Sequence, residues 1–196
     1  MKYGELKNEI RDLGFEDDAI FIEYLSVIQN AITRACKILA STLKSPVGRI
    51  ELDLTDDSVR SEDGKYDLLE LSEDTDGNVR FDSIDRIVED VGTYIQNYLN
   101  YDLVEDHILV VPTNVSKKLI VYYNEQIIPI TDQTPDDYEI QVVYPFDPLV
   151  ALLAAHYVWL DDDERKAILY WNEYDQLKAE IMAKAYRPKA RIVGGF

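Results

Sequence analysis

The residue types best suited to catalysis are few in this sequence and are widely separated. Its two histidines, His107 and His156, lie in different regions, and its one cysteine, Cys36, has no histidine close to it along the chain. The sequence has no paired-histidine zinc motif, no Gly-x-Ser-x-Gly nucleophile motif and no phosphate-binding glycine loop. We therefore predict a protein that is not an enzyme, with no catalytic residue, no metal site and no cofactor.

The three scarce residues each have a simpler structural interpretation. Cys36 falls in an apolar helical pattern, where a cysteine packs as a small hydrophobic residue. His156 follows Ala155 in an apolar segment, which predicts a hydrogen-bonded histidine in a core or interface. His107 precedes a short strand-like segment and is expected in a loop.

Acidic residues are abundant, but their spacing favours turns and helix ends over metal sites. Asp74, Asp76, Gly77 and Asn78 have the spacing of a calcium loop, yet Ser83 stands where its last ligand, a glutamate, is needed. The run Asp161–Glu164 could bind a cation, although its place before a helical segment favours a helix cap.

Tyrosine is unusually frequent, with 14 in the chain. Its ring is apolar and its hydroxyl is polar, so it suits both protein interfaces and stacking on sugars. We expect most tyrosines of the middle region to pack in or on strands, while Tyr98 and Tyr123 keep a carbohydrate-binding alternative open. The tyrosines concerned are Tyr94, Tyr98, Tyr101, Tyr122, Tyr123 and Tyr138.

The charge balance is strongly acidic, with 38 Asp and Glu against 20 Lys and Arg and a net charge of −18. Such a surface repels nucleic acid and acidic membranes, which argues against a DNA clamp but permits a channel that DNA slides through. The longest apolar run, Leu149–Leu160, is too short to cross a bilayer, and Met1–Arg11 lacks a signal core. We expect a soluble protein, made in the cytoplasm, with no membrane partner.

Apolar spacing predicts helices near both ends of the chain. A short helix is expected over Leu6–Leu13, and one long helix from Glu16 to Leu43 or Lys44. Asp147 and Pro148 suit the cap and first turn of a helix that is buried all round, and Asp161–Glu164 begins another. The apolar stripes of the second and fourth helices are wide enough to suggest a bundle or a subunit interface. They contain Phe21, Leu25, Ile28, Ile32, Ala35 and Leu39, and Ala167, Trp171, Tyr174, Leu177 and Ile181.

The middle of the chain favours strands. Ile50, Leu52 and Leu54 alternate with acidic residues, and Leu119–Tyr123 and Tyr138–Tyr144 are rich in strand formers. Asp76–Asn78 has a hairpin turn sequence between 68–71 and 79–81. Residues 84–98 also fit a helix, but Gly92 interrupts it and strands are favoured. About seven or eight short strands then indicate a small β-sandwich.

The fold class predicted is therefore α+β: a helical bundle formed by the N- and C-terminal helices, with an inserted small antiparallel β-sandwich. Residues 1–46 and 146–185 form the bundle, and 47–145 the insertion. Residues 186–196 form an extended C-terminal arm. From Lys184 to the end the chain has four basic residues and no acidic side chain, so the rest is even more acidic than the whole.

This order of features resembles the head–tail connector, or adaptor, proteins of tailed bacteriophages. The resemblance covers mainly residues 1–45 and 147–196. It rests on the opening Leu6–Ile10, the long amphipathic helix, an insertion, the buried helix Pro148–Leu160, the run Lys166–Tyr174 and the loose arm. Members of that family are helical bundles, some with an inserted β-sandwich, that form rings beneath the portal.

The resemblance implies a virion structural protein in the neck, between capsid and tail. It implies a homo-oligomeric ring, a dodecamer, that binds the portal and a downstream neck or tail protein. Packaged DNA would pass through the ring without specific binding. The arm would dock on the portal through Arg187, Pro188, Lys189, Arg191, Ile192 and Val193. The ring interface would use Phe21, Leu25, Ile28, Ile32, Trp171, Tyr174, Leu177 and Ile181.

Three alternatives stay open. The inserted sandwich could be a carbohydrate- or protein-binding module of a virion. The chain could be another neck or tail protein, such as a stopper or terminator. The least favoured alternative is a metal-assisted hydrolase that uses the acidic clusters.

Overall fold

The computed structural model of the protein describes residues 1–75 and 77–185, and these fall into two compact units. The helical unit combines Met1–Lys44 with residues 129–185, and the sheet unit is Ser45–Ile128. Residues 129–145, assigned to the insertion from sequence, thus belong to the helical unit. The predicted arm, 186–196, lies outside the described residues.

The described residues form six helices and two antiparallel sheets, which confirms the mixed α+β class. The helices are α1 (Tyr3–Asp12), α2 (Asp18–Glu23), α3 (Leu25–Thr42), α4 (Leu68–Leu71), α5 (Pro148–Trp159) and α6 (Glu164–Ala185). The strands are β1 (Val47–Asp53), β2 (Lys65–Asp67), β3 (Phe81–Asp90), β4 (Ile95–Asn97), β5 (Asp102–Val104), β6 (Ile108–Val110) and β7 (Lys118–Glu125).

Helix α5 lies at the centre of the helical unit and packs against α1, α3 and α6. Its small residues Ala151, Ala154 and Ala155 are fully buried, which lets the neighbouring helices approach closely. Burial on several sides, predicted from the unbroken apolar run, is confirmed. Pro148 stands in the first turn as predicted. Asp147, however, has helical backbone angles and makes no capping side-chain hydrogen bond within the described part of the chain.

The single long helix predicted from Glu16 is wrong, because the chain breaks into α2 and α3 at Tyr24. There ψ rises to 0°, and the Tyr24 hydroxyl donates a hydrogen bond of 2.7 Å to Asp162. Its ring also packs against Phe15 and Trp159, at centroid distances of 5.4 and 6.1 Å. These contacts hold Tyr24 close to the start of α6. The apolar stripe predicted for one helix is therefore divided between α2 and α3.

The strand predicted over Tyr138–Tyr144 is also wrong, because that segment serves the N-terminus of α1 and not a sheet. The first N–H groups of a helix have no partner within it. Here the Tyr3 and Gly4 N–H groups donate to the carbonyls of Tyr138 and Asp136, at 2.8 and 2.9 Å. The pairing of this segment is an isolated bridge between Lys2 and Glu139.

The sheet unit contains a four-stranded sheet, ordered β1-β7-β3-β4, and a three-stranded sheet, ordered β2-β6-β5. The strands favoured over 84–98 are confirmed as the end of β3 and β4, with Gly92 at φ +84° between them. The first strand of the hairpin expected around residues 76–78 is wrong, because residues 68–71 form the helix α4. The Asp67 side chain accepts from the Leu69 and Glu70 N–H groups, and this cap starts a helix.

Both sheets contribute to one apolar cluster. On β1, alternate residues are buried, as the sequence alternation predicts. The cluster consists of Ile50, Leu52, Leu54, Tyr66, Leu68, Phe81, Ile87, Tyr98, Leu109, Val111, Leu119, Val121 and Tyr123. Each unit therefore has an apolar core of its own.

Truncation of a buried residue of α3 tests the helical core. We expect Ile32→Ala to lower the free energy of unfolding by about 2–5 kcal/mol, because Ile32 is fully buried and the neighbouring helices cannot close the cavity. Val27→Ala on the same helix is the control, since Val27 is 43% exposed and should cost about 0.5 kcal/mol. Urea denaturation followed by tryptophan fluorescence measures both. Equal losses would contradict this assignment of the core.

Candidate interaction surface

The residues that could do chemistry each take part in local structural contacts. Among residues 1–75 and 77–185, no group of three His, Cys, Asp or Glu side chains could hold a metal ion. His107 lies in the turn between β5 and β6, where its Nδ1 contacts the Glu105 carbonyl. Asp74 binds the Arg80 guanidinium at 2.8 Å and caps the turn through the Asn78 N–H. The calcium-loop spacing thus forms a turn, as expected.

Cys36 is 2% exposed, and burial raises the pKa of its thiol to about 12. The thiolate is the nucleophilic form of cysteine, so a raised pKa suppresses reactivity near neutral pH. The side chain acts as a small apolar core residue, as predicted from its position in the helix.

The helical unit has an open cleft of about 370 Å³ between α5 and α6. Four side chains line this α5–α6 cleft: His156, Tyr157, Ile168 and Trp171. Ile168 and Trp171 are 53% and 43% exposed, which is high for apolar side chains of their size. The cleft therefore presents an aromatic and aliphatic surface to solvent.

The pattern of α6 explains why Trp171 faces outward. Ala167, Tyr170 and Tyr174 are buried and define the inner face of α6, while Ile168 and Trp171 each lie one residue beyond it. Asp163 caps the helix by accepting from the Arg165 and Lys166 N–H groups, at 3.0 and 3.2 Å, as predicted for the acidic run.

His156 fixes the base of the cleft. Its Nδ1 lies 2.9 Å from the Ala167 carbonyl, which can only accept, so Nδ1 carries the proton. In the neutral ring Nε2 is then a hydrogen-bond acceptor. The ring centroid lies 5.2 Å from that of Trp171 and 4.9 Å from that of Tyr157. The predicted hydrogen-bonded histidine is confirmed.

Helix α3 adds positive charge beside the cleft. The Arg34 guanidinium lies 4.0 Å from the centroid of the Tyr157 ring, a cation–π contact that keeps it next to the aromatic wall. Lys37 is also exposed on α3, and no acidic residue occurs between Leu25 and Thr42. In a chain with a net charge of −18, this is a locally basic helix.

A second apolar surface lies on α2. Ile20 and Ile22, here called the α2 ridge, are 48% and 63% exposed on either side of the buried Phe21. Four exposed carboxylates flank the ridge: Glu16, Asp17, Asp18 and Glu23.

An aromatic cluster anchors the segment that carries the ridge. The Phe15 and Phe21 rings meet edge to face at 5.4 Å, and Phe15 packs against Trp159 at 4.9 Å. The Lys166 ammonium lies 3.9 Å from the Trp159 ring and donates to the Gly14 carbonyl at 3.0 Å. The ridge is thus exposed apolar surface on a well-packed support.

The structure separates the predicted interface residues into two groups. Five of them are buried inside the helical unit and pack the protomer itself: Phe21, Ile28, Ile32, Tyr174 and Ile181. Leu25 and Leu177 are half-buried, and Trp171 is exposed. The predicted docking residues Arg187, Pro188, Lys189, Arg191, Ile192 and Val193 lie outside the described residues.

Sequence reasoning did not single out Tyr157 and Ile168, and it treated the ridge as part of a wider helical stripe. The sequence gives little indication that these residues are exposed, because an apolar residue next to a buried stripe can lie either in the core or on the surface. Tyr98 and Tyr123, proposed for sugar stacking, are 6% and 5% exposed, so neither presents a free ring face.

The sheet unit has a more polar pocket of about 420 Å³. Its lining includes Tyr101, Asn100, Asp102 and Thr113, together with Asp63. The Asp63 carboxylate accepts from the Ser61 hydroxyl at 2.7 Å, which together with the Lys65 N–H lowers its pKa. The pocket is acidic and carries one aromatic wall.

The chain matches no protein-family model, and no curated protein is significantly similar to it. Within the described ranges, none of the helices has the length and apolar character needed to cross a membrane.

The burial of Cys36 is measurable by thiol labelling. We expect the native protein to react with a disulfide reagent at pH 8 far more slowly than after unfolding in urea, because almost no thiolate forms in the fold. A Val27→Cys variant provides an exposed thiol on the same helix as the control. Labelling of Cys36 as fast as of this control would show that the thiol is accessible.

Proposed function

We propose that this protein is a non-catalytic structural protein of a tailed-phage virion, a head–tail adaptor. Its copies form a ring under the portal, bind a downstream neck or tail protein and line the channel for DNA. In this proposal the helical unit is the bundle of the adaptor family, and the sheet unit is its inserted β-sandwich. The virion neck is the place of action.

The observation that carries the proposal is the exposed apolar surface of the helical unit. The α2 ridge and the α5–α6 cleft expose large aliphatic and aromatic side chains on a chain whose residues are 30% charged. The cleft residues Tyr157, Ile168 and Trp171 lie together, and exposed apolar patches are typical of sites of protein association. Trp171 and Tyr157 are residue types that dominate binding energy at interfaces.

Charge supports the part of the proposal that concerns DNA. A ring of chains with a net charge of −18 each repels phosphate groups along its inner wall. Binding of DNA gains most of its affinity from Lys and Arg contacts to phosphate, which an acidic wall does not offer. Packaged DNA would therefore slide past the protein without being retained.

The mass of the purified protein, measured by light scattering with and without the portal protein of the same virus, tests the proposal. Rings alone, or monomers that assemble when the portal is added, would support it. A monomer that ignores the portal would contradict it.

Removal of the arm is the sharper test of portal docking. Deletion of residues 186–196 should leave the circular dichroism spectrum and thermal unfolding unchanged and abolish portal binding. A variant with Arg187, Lys189 and Arg191 changed to Ala, and another with Ile192 and Val193 changed to Ser, separate the charge from the apolar contribution. Normal portal binding by the deleted chain would show that the arm is not the docking element.

A second candidate function, carbohydrate binding by the sheet unit, is favoured by the pocket at Tyr101. An aromatic ring beside carboxylate, amide and hydroxyl groups is a typical lining for a sugar, and the acidic residues exclude anionic glycans. Tyr101→Ala should then remove binding on a glycan array, while Tyr94→Ala, at an exposed tyrosine outside this lining, should retain it.

A further inference from the structure

The α2 ridge and the α5–α6 cleft are both exposed apolar surfaces of the helical unit. Ile20 and Ile22 project from two sides of α2, next to the buried Phe21, and the cleft has a volume of about 370 Å³. Both surfaces are exposed within one protomer, so neither covers the other. Burial of either surface would be favourable, because it removes apolar atoms from water.

The charges around the two surfaces are also complementary. The ridge is flanked by Glu16, Asp17, Asp18 and Glu23, and Arg11 lies 3.8 Å from Asp18. At the cleft, α3 contributes Arg34, which stacks on Tyr157, and α3 has no acidic residue, while α6 carries charges of both signs. The acidic flank of the ridge thus has an opposite charge at the cleft in Arg34.

The stacking of Arg34 suits it to receive a carboxylate. One face of its guanidinium lies on the Tyr157 ring, and within residues 1–75 and 77–185 it forms no ion pair with a carboxylate. A planar guanidinium binds a carboxylate through two parallel hydrogen bonds, and stacking on an aromatic ring orders it in advance.

We propose that the α2 ridge of one copy of this chain docks in the α5–α6 cleft of the next copy. Ile22 fills the space between Tyr157, Ile168 and Trp171, and the acidic flank of α2 meets Arg34. This inference deepens the proposed ring and rests on it, since it names the surfaces that join adjacent subunits.

The proposed contact is heterologous, because each copy contributes a different surface to each of its two neighbours. Such contacts propagate around a closed ring or along an open filament, whereas a two-fold contact stops at a dimer. One copy with a blocked ridge and one with a blocked cleft could still pair once, through their intact surfaces.

Site-specific cross-linking tests the pairing directly. Ile22→Cys and Ile168→Cys chains are prepared separately, mixed and treated with a short bismaleimide, which joins two accessible thiols. We expect cross-linked dimers at several times the yield given by either variant alone, because the ridge of one chain faces the cleft of the other. The native Cys36 is buried and does not compete.

Leu99→Cys is the matched control. Leu99 is 84% exposed and lies in the sheet unit, so mixing it with either helical-unit variant should give only the yield of random collisions. A yield from the Ile22→Cys and Ile168→Cys mixture no higher than this control would overturn the proposed interface.

Exchanging the charges of Glu23 and Arg34 tests whether these two side chains meet across the proposed interface. In the Ile22→Cys chain Glu23→Arg should lower the yield severalfold, and in the Ile168→Cys chain Arg34→Glu should do the same. Mixing the two altered chains should restore it, because the attractive pair is rebuilt with its charges reversed. Failure of the exchange to restore the yield would contradict the placement of Glu23 opposite Arg34.

The results separate this interface from the adaptor role. If the wild-type chain assembles on the portal but the mixed variants give no excess cross-link, the adaptor role stands and this interface is wrong. If the excess cross-link forms and the portal is ignored, the interface stands and the adaptor role is wrong.

Discussion

The burial of α5 is the constraint on which the helical unit depends. A twelve-residue helix whose side chains are almost all apolar must be covered on several sides, and α1, α3 and α6 provide that cover. Covering it uses the inner faces of those helices, including Ile32 on α3 and Tyr174 on α6. The apolar residues left over, on α2 and on the outer side of α6, have no place in this core. They form the surface from which the proposed assembly is argued.

Sequence periodicity did not reveal the break at Tyr24 or the role of residues 136–138 at the start of α1. Residue 24 leaves the helical path because its side chain reaches Asp162 and Trp159, at the junction of α5 and α6. The carbonyls of Asp136 and Tyr138 accept hydrogen bonds from the start of α1, and this segment joins neither sheet. Both are tertiary contacts between residues more than a hundred positions apart, and a local pattern carries no information about them.

Patterns that depend on local chemistry were predictable. The proline at the start of α5, the cap at Asp163, and the strands at β1 and β7 follow from propensity and spacing. Residues 68–71 show the limit, because leucines after a capping Asp67 fit a helix turn as well as a strand. In the candidate surface, Trp171 was identified, but its exposure depends on which face of α6 meets α5. A helical stripe shared by Trp171 and Tyr174 does not specify that rotation, which the packing of Ala167 and Tyr170 decides.

The placement of the two tryptophans allows fluorescence to distinguish the helical unit from the sheet unit. Trp159 is 9% exposed inside an aromatic cluster, Trp171 is 43% exposed in the cleft, and both belong to the helical unit. The indole emission of the protein thus reports on that unit alone, while the sheet unit contributes through its tyrosines. Collisional quenchers such as acrylamide reach Trp171 before Trp159. The quenchable fraction of the emission is consequently a direct optical readout of whether the cleft is open or occupied.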